Sequence, residues 1–221
     1  MPALPTVPTV AVFDCDGVML QSNRLKSDAF ARVLHAEGHA PDKVDEFVAW
    51  HRATGGVSRF AKFARFYREI LALDDWQART DAACTAFGDD VGKALRQCPT
   101  IPGLETLLAK LGERGVPLSV NTGGAQTEIR AVLKDRGLAR QFETILGSPT
   151  TKRDNMLTLR DMELIAPGGI YLGDSELDYE LASEFGLHFV YVAYESEWSE
   201  GDAVTRAAGG TVVADLTHLA F

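Results

Sequence analysis

In Thr9-Val10-Ala11-Val12-Phe13-Asp14-Cys15-Asp16-Gly17-Val18, four consecutive apolar residues run straight into two acids separated by one residue. An unbroken apolar run suits a strand covered on both faces, as parallel strands are in α/β proteins. Residues 9–14 are therefore expected to form a buried strand. Asp14 then ends it at the carboxyl edge of the sheet, where open α/β folds bind their ligands. Gly17 lets the chain turn sharply away. Asp14 and Asp16 can equally be read as turn or cap acids, because Asp is common after strands.

Outward from this stretch, the same pattern returns. Residues 117–121 (PLSVN) form a second such run, and 144–146, 169–172, 188–192 and 211–213 are shorter candidates. Helices are expected at 103–114, 126–136, 153–163 and 177–185. Strand–helix–strand units in series give right-handed crossovers and a doubly wound α/β parallel sheet. One block interrupts the alternation. Between residues 23 and 97 there is helical periodicity and no convincing strand. Val57, Phe60, Ala61, Ala64 and Tyr67 or Leu71 share one stripe, and 25–36, 44–52 and 76–95 also read as helices. The prolines of residues 98–102 (CPTIP) resist helix continuation and mark a return linker. The expected division is a core of 1–20 and 98–221 with a helical insertion at 21–97.

The 221 residues carry a formal net charge of −9 and no Lys/Arg block. Nucleic acid and anionic membranes are therefore not expected as partners. Phosphates must be met locally, by a metal, a lysine or backbone N–H groups. Three cysteines, Cys15, Cys84 and Cys98, fit no zinc spacing and read as reduced thiols of a cytoplasmic protein. Residues 1–8 have no basic start, and the apolar run ending at Asp14 is too short for a signal peptide or a membrane span.

Three further stretches carry chemistry. Gly173-Asp174-Ser175-Glu176-Leu177-Asp178 follows an apolar strand and opens a helix, so one turn can bring Asp174 and Asp178 to the same point. Taken alone they could be acids favourable to a helix dipole. Two acid clusters at strand ends concentrate carboxylates that need a cation, and oxygen-only ligands suit magnesium. Thr122-Gly123-Gly124 offers a hydroxyl and free N–H groups at a strand end, which can hold phosphate oxygens or simply make a glycine turn. In Gly147-Ser148-Pro149-Thr150-Thr151-Lys152, Lys152 lies in a loop before a helix, where a lysine is otherwise a solvated surface residue.

In this order, the four stretches resemble the haloacid dehalogenase-like hydrolase superfamily. The resemblance covers the core, and the helical insertion is similar to that family's C1 cap. It implies Asp14 as the nucleophile that becomes an aspartyl phosphate, and Asp16 as general acid/base. It implies Thr122 and Lys152 as ligands of the transferring phosphoryl group, with Gly123 beside them on the substrate. Magnesium is implied on Asp14, Asp174 and the backbone carbonyl of Asp16, with Asp178 coordinating through water or orienting Lys152. Asp16 points to the phosphatase and phosphomutase branches, since the dehalogenases lack that acid. Cys15, where the family often has a larger apolar residue, reads as a small buried filler.

The substrate implied is a small phosphorylated metabolite, hydrolysed by a phosphatase. A phosphomutase and a non-catalytic binding protein on the same fold are the alternatives. Intact motifs speak against the last, and Lys26, where the mutase has a histidine, against the mutase. Thr54-Gly55-Gly56-Val57-Ser58-Arg59 looks like the cap loop of such enzymes, so Arg59 could meet a second anionic or hydroxylated group. Arg59, Lys62, Arg65 and Arg68 could instead form a solvated helix face. Residues 21–23, Trp50 and His51 could border the pocket.

Overall fold

The computed structural model describes residues 4–219 and 221. Residues 1–3 of the amino-terminal stretch considered above lie outside the described residues. The chain runs β1 (Ala11–Phe13), α1 (Asn23–Ala36), α2 (Pro41–Ala53), α3 (Arg59–Arg65), a π-helical turn (Phe66–Ile70), α4 (Trp76–Gln97), α5 (Leu104–Glu113), β2 (Leu118–Ala125), α6 (Gln126–Asp135), β3 (Thr144–Ser148), α7 (Lys152–Asp161), β4 (Ile170–Gly173), α8 (Glu176–Glu184), β5 (His188–Val192), α9 (Gly201–Ala207) and β6 (Thr211–Val213). The strands form one six-stranded sheet in the order β3-β2-β1-β4-β5-β6. Every neighbouring pair is parallel. The order reverses at β1, so the crevice of a doubly wound sheet opens at the end of the strand that carries Asp14.

Alternation along the strands divides the core. Ala11 and Phe13 face one side with Leu118, Val120, Ile170 and Leu172, against leucines of α5 and Ile129, Val132 and Leu133 of α6. Val12, Tyr171 and Phe189 face the other side, against Met156 and Leu159 of α7 and Leu181 of α8. Both faces are therefore dry, which is why the strands read as continuous apolar runs.

Helices α1–α4 contain no strand and bury their own aromatic cluster. Phe30 meets Phe47, Phe63 and Phe87 at ring-centroid distances of 5.5, 5.0 and 4.4 Å. The expected single stripe across 57–71 is broken after Arg65, where the helix widens into the π-helical turn. The chain returns to the sheet at Cys98, whose carbonyl accepts from Arg136 Nη1 at 2.6 Å. That guanidinium also takes the Leu95 carbonyl left over at the end of α4.

Several boundaries differ from the sequence reading. β2 continues through Thr122, Gly123 and Gly124 instead of turning, because Ala125 still pairs with Ser148 of β3 beyond an irregularity after Asn121. Lys152 is the first residue of α7 and not a loop residue; Thr151 caps that helix by accepting from the Asp154 N–H. Helix α9 was not anticipated, being too short to show periodicity. No helix among the described residues is long and apolar enough to cross a membrane.

Gly103 joins the linker to α5 with φ +90°, and a Cβ there would lie 2.5 Å from the Thr217 backbone nitrogen and 2.7 Å from the Leu216 carbonyl carbon. Only glycine avoids both the strain and the collision. Gly103→Ala is expected to lower unfolding stability by about 1–3 kcal/mol, measured by urea denaturation.

Candidate active site

Asp14 follows β1 directly, and its N–H still donates to the Leu172 carbonyl of β4 at 2.9 Å. Its side chain is buried and lies between the ends of two neighbouring strands. Oδ1 is 2.9 Å from Lys152 Nζ, and the same ammonium is 2.7 Å from Asp178 Oδ1. Lys152 is held from behind: its carbonyl accepts from Asn121 Nδ2 at 3.0 Å, and Asn121 Oδ1 accepts from Asn155. Asp178 is fully buried and takes three donors, Lys152, the Tyr171 hydroxyl at 2.9 Å and the Ser175 hydroxyl at 2.6 Å.

Burial dominates the electrostatics. It pushes the Asp14 carboxyl up to about 7, against the pull of Lys152 and with the help of Asp178 and Asp16. Asp174, at the end of β4, is raised well above the carboxylate range by burial and then by Asp14. The Lys152 ammonium loses water too, but Asp14 and Asp178 outweigh that and hold its proton firmly. Asp14, Asp174 and Asp178 each offer an oxygen, all within 4.8 Å of one another. Three buried carboxylates facing one shared ammonium leave uncompensated negative charge. A hard divalent cation fits that donor set. Of the three, Asp178 has its oxygens most fully committed to protein donors, so Asp14 and Asp174 are the freer ligands.

Asp16 is in a different state. Its Oδ2 is 2.6 Å from Lys26 Nζ and its Oδ1 accepts from Ser22 at 2.6 Å. Burial disfavours the carboxylate, yet Lys26 and Ser22 overcome it and hold the group below its ordinary range. Gly17 sits against Asp174 and Asn23, and a Cβ there would collide with both side chains. Asn23 in turn donates to Asp174 Oδ2 at 2.5 Å.

A cavity of about 80 Å³ lies between the strand ends and helices α1–α4. Asp14, Asp16, Gly123 and Asp174 border it from the sheet side; Lys26, His51, Arg59 and Lys62 border it from the helices. Thr122, Lys152 and Asp178 stand behind this wall. The Thr122 hydroxyl accepts from the Gly124 N–H at 3.0 Å. The helical loop closes on the sheet where Gly123 approaches the Gly56 carbonyl too closely for any side chain to intervene.

The basic residues of the α3 region divide. Arg65 and Arg68 are solvated, lying over the rings of Trp50 and Trp76. Arg59 and Lys62 are not part of a solvated face. Arg59 pairs with Glu128 of α6 at 2.9 Å and lies over Phe87, and Lys62 is 1% exposed. The reason is packing: α3 sits between α4 and β2, so only its outer side meets water. Trp50 is half-buried against the aromatic cluster, while His51 reaches the cavity. Asn23 also borders it, whereas Gln21 is turned to the Thr100 carbonyl. Asn121, Tyr171 and Glu197 escaped the sequence reading; an Asn inside an otherwise apolar strand was the available signal for the first.

The chain belongs to the haloacid dehalogenase-like hydrolase family, whose profile matches residues 11–192. It is a hydrolase. It is 27% identical over 213 residues to a phosphoglycolate phosphatase of Rhodobacter capsulatus, covering 89% of this chain and 90% of that protein. Among solved structures, CbbY from Rhodobacter sphaeroides in complex with phosphate superposes with a TM-score of 0.73 at 19% identity, over 96% of each chain. A beta-phosphoglucomutase from Clostridium difficile also gives 0.73, at 16% identity, over 97% of this chain and 94% of that one.

Removing the shared ammonium leaves two buried carboxylates facing each other. Lys152→Met is expected to cost about 3–5 kcal/mol of stability. Adding Asp178→Asn to it should cost less than the two single changes summed. Denaturant unfolding of the four proteins of the cycle tests this.

Proposed function

We propose that this protein is a magnesium-dependent phosphatase that hydrolyses a small phosphorylated metabolite through an aspartyl phosphate on Asp14. The observation that carries the reading is the meeting of Asp14, Lys152 and Asp174 at the carboxyl ends of the central strands, beside a cavity between the sheet and the helices. The family membership and the phosphatase among its relatives support it. Residues 1–20 and 98–221 act as the core, and 21–97 as a cap that shuts the site from water.

In the first step an Asp14 carboxylate oxygen attacks phosphorus, and the bond from phosphorus to the ester oxygen breaks. The electron pair goes to that oxygen, which takes a proton from Asp16. In the second step water attacks the same phosphorus, Asp16 accepts its proton, and Asp14 is released with inorganic phosphate. Lys26 and Ser22 hold Asp16 as the carboxylate, the form the second step needs. The first step needs the acid, so the Lys26 contact loosens as a phosphoester enters. Lys152 neutralises charge on the phosphoryl oxygens, and Asp178 and Tyr171 position it. Thr122 has already accepted the Gly124 N–H and keeps its hydroxyl proton for a phosphoryl oxygen, beside the Gly123 N–H. Asp14, Asp174 and the Asp16 backbone carbonyl would hold the magnesium ion, which lowers the repulsion between the Asp14 carboxylate and the phosphate dianion when bound.

A screen of phosphorylated metabolites should give phosphate release that stops with chelator and returns with magnesium. Asp14→Asn should lower it by about 10³-fold or more. Wild-type turnover by Asp14→Asn would overturn the mechanism. Conversion of a sugar 1-phosphate to the 6-phosphate without release would identify a mutase instead.

A further inference from the structure

Asn23 is the first residue of α1, where the chain leaves the sheet for the helical block, and the mechanism above gives it no part. Its side chain nonetheless reaches back to the sheet. Nδ2 donates to Asp174 Oδ2 at 2.5 Å and to the Glu195 carbonyl at 3.1 Å. The Asn23 backbone N–H, unpaired within its own helix as at any helix start, donates to Glu195 Oε2 at 3.2 Å. An amide NH2 has two donors, and both are spent here. One goes to a carbonyl, which only accepts, so the nitrogen is the amide atom that faces Asp174.

The surroundings hold this contact in place. Ser196 Oγ donates to the Asp174 carbonyl at 2.5 Å and accepts from the Tyr191 hydroxyl at 2.7 Å, which ties residues 195 and 196 to β5. On the other side Gly17 leaves the room the contact needs, since a Cβ there would collide with both Asp174 and Asn23. The Asp174 carboxylate has no other hydrogen bond among the described residues. Its orientation is therefore set by one amide, and that amide stands on the helical block and not on the sheet.

We propose that Asn23 is a positioning residue for the divalent cation: it holds the Asp174 carboxylate in the orientation that meets the ion, and so couples the ion to the placement of α1. The inference rests on the phosphatase reading above, which puts the cation on Asp14 and Asp174, and adds a residue that orients a ligand and a link from the cation to the helices. Groups that hydrogen-bond a metal-ligating carboxylate fix its direction, and losing one typically costs roughly 10–100-fold in metal affinity. The neighbouring contacts of α1 and its cap, from Lys26 and Ser22, end on the Asp16 side chain. Asn23 is thus the described link from α1 to a side chain that would ligate the ion. Such a coupling is reciprocal. By the factor that the amide contact raises the affinity for the cation, the bound cation stabilises the contact and with it the start of α1.

The test titrates magnesium calorimetrically, without substrate, into the wild type and Asn23→Ala. The variant should bind the ion about tenfold more weakly or worse. Amide hydrogen exchange in the first turns of α1 should slow by up to about tenfold when magnesium is added to the wild type, and should ignore magnesium in the variant. A lower unfolding midpoint of Asn23→Ala in chelator with an unchanged magnesium Kd would mark a merely structural contact and overturn the proposal. Exchange in α1 of the wild type that does not respond to magnesium would overturn it as well. If Asn23→Ala does not fold, that wild-type exchange decides alone. A wild type that binds no divalent cation would strike the metal-dependent reading and the proposal together, whereas equal binding by wild type and variant would strike the proposal and leave that reading standing.

Discussion

The Lys152 ammonium sits almost without solvent between Asp14 and Asp178, and none of the three charges could remain buried without the others. They come from three places in the chain: just past β1, the first residue of α7, and the first turn of α8. Bringing them together requires β4 beside β1 and α7 anchored on β2, which the Asn121 side chain does by binding the Lys152 carbonyl. The bridge is therefore a check on the whole sheet order. A register slip at any of these strands would leave a charge buried and unpaired.

The bridge neutralises only part of the acidity it sits in. Asp14 and Asp174 retain raised carboxyls, while Asp16 is drawn off by Lys26 and Ser22. Two neighbouring acids thus have opposite tendencies because their contacts differ, a separation that suits the two different roles proposed for Asp14 and Asp16. On the helical side, the contacts of Gly56 with Gly123 and of Arg59 with Glu128 draw α3 onto the sheet edge.

The sequence made the parallel sheet legible because strands buried on both faces cannot hide their apolar runs. It also made the acid clusters legible, since two of them at strand ends concentrate carboxylates that need a cation. Asp14, Asp16 and Asp174 were marked in this way and Lys152 only through the family resemblance, and the structure gathers them at one edge. The continuation of β2 through Thr122–Gly124 was not legible, because glycines carry no pattern and the pairing of Ala125 with Ser148 is a contact between distant residues.

The cores of the strands, their carboxyl-end acids and the helical block were legible in the chain because they depend on local pattern and on which faces must be dry. Which cations are buried and which stay solvated depends on tertiary contacts. Arg59, Lys62, Arg65 and Arg68 recur at helical spacing and look alike in the chain. Their different fates follow from what α3 packs against: Glu128 for one, His51 for another, water and tryptophan faces for the rest. Burial and pairing are properties of neighbours far apart in sequence, and the electrostatics of Asp14, the residue first noticed, depend on them as much as on the strand it ends.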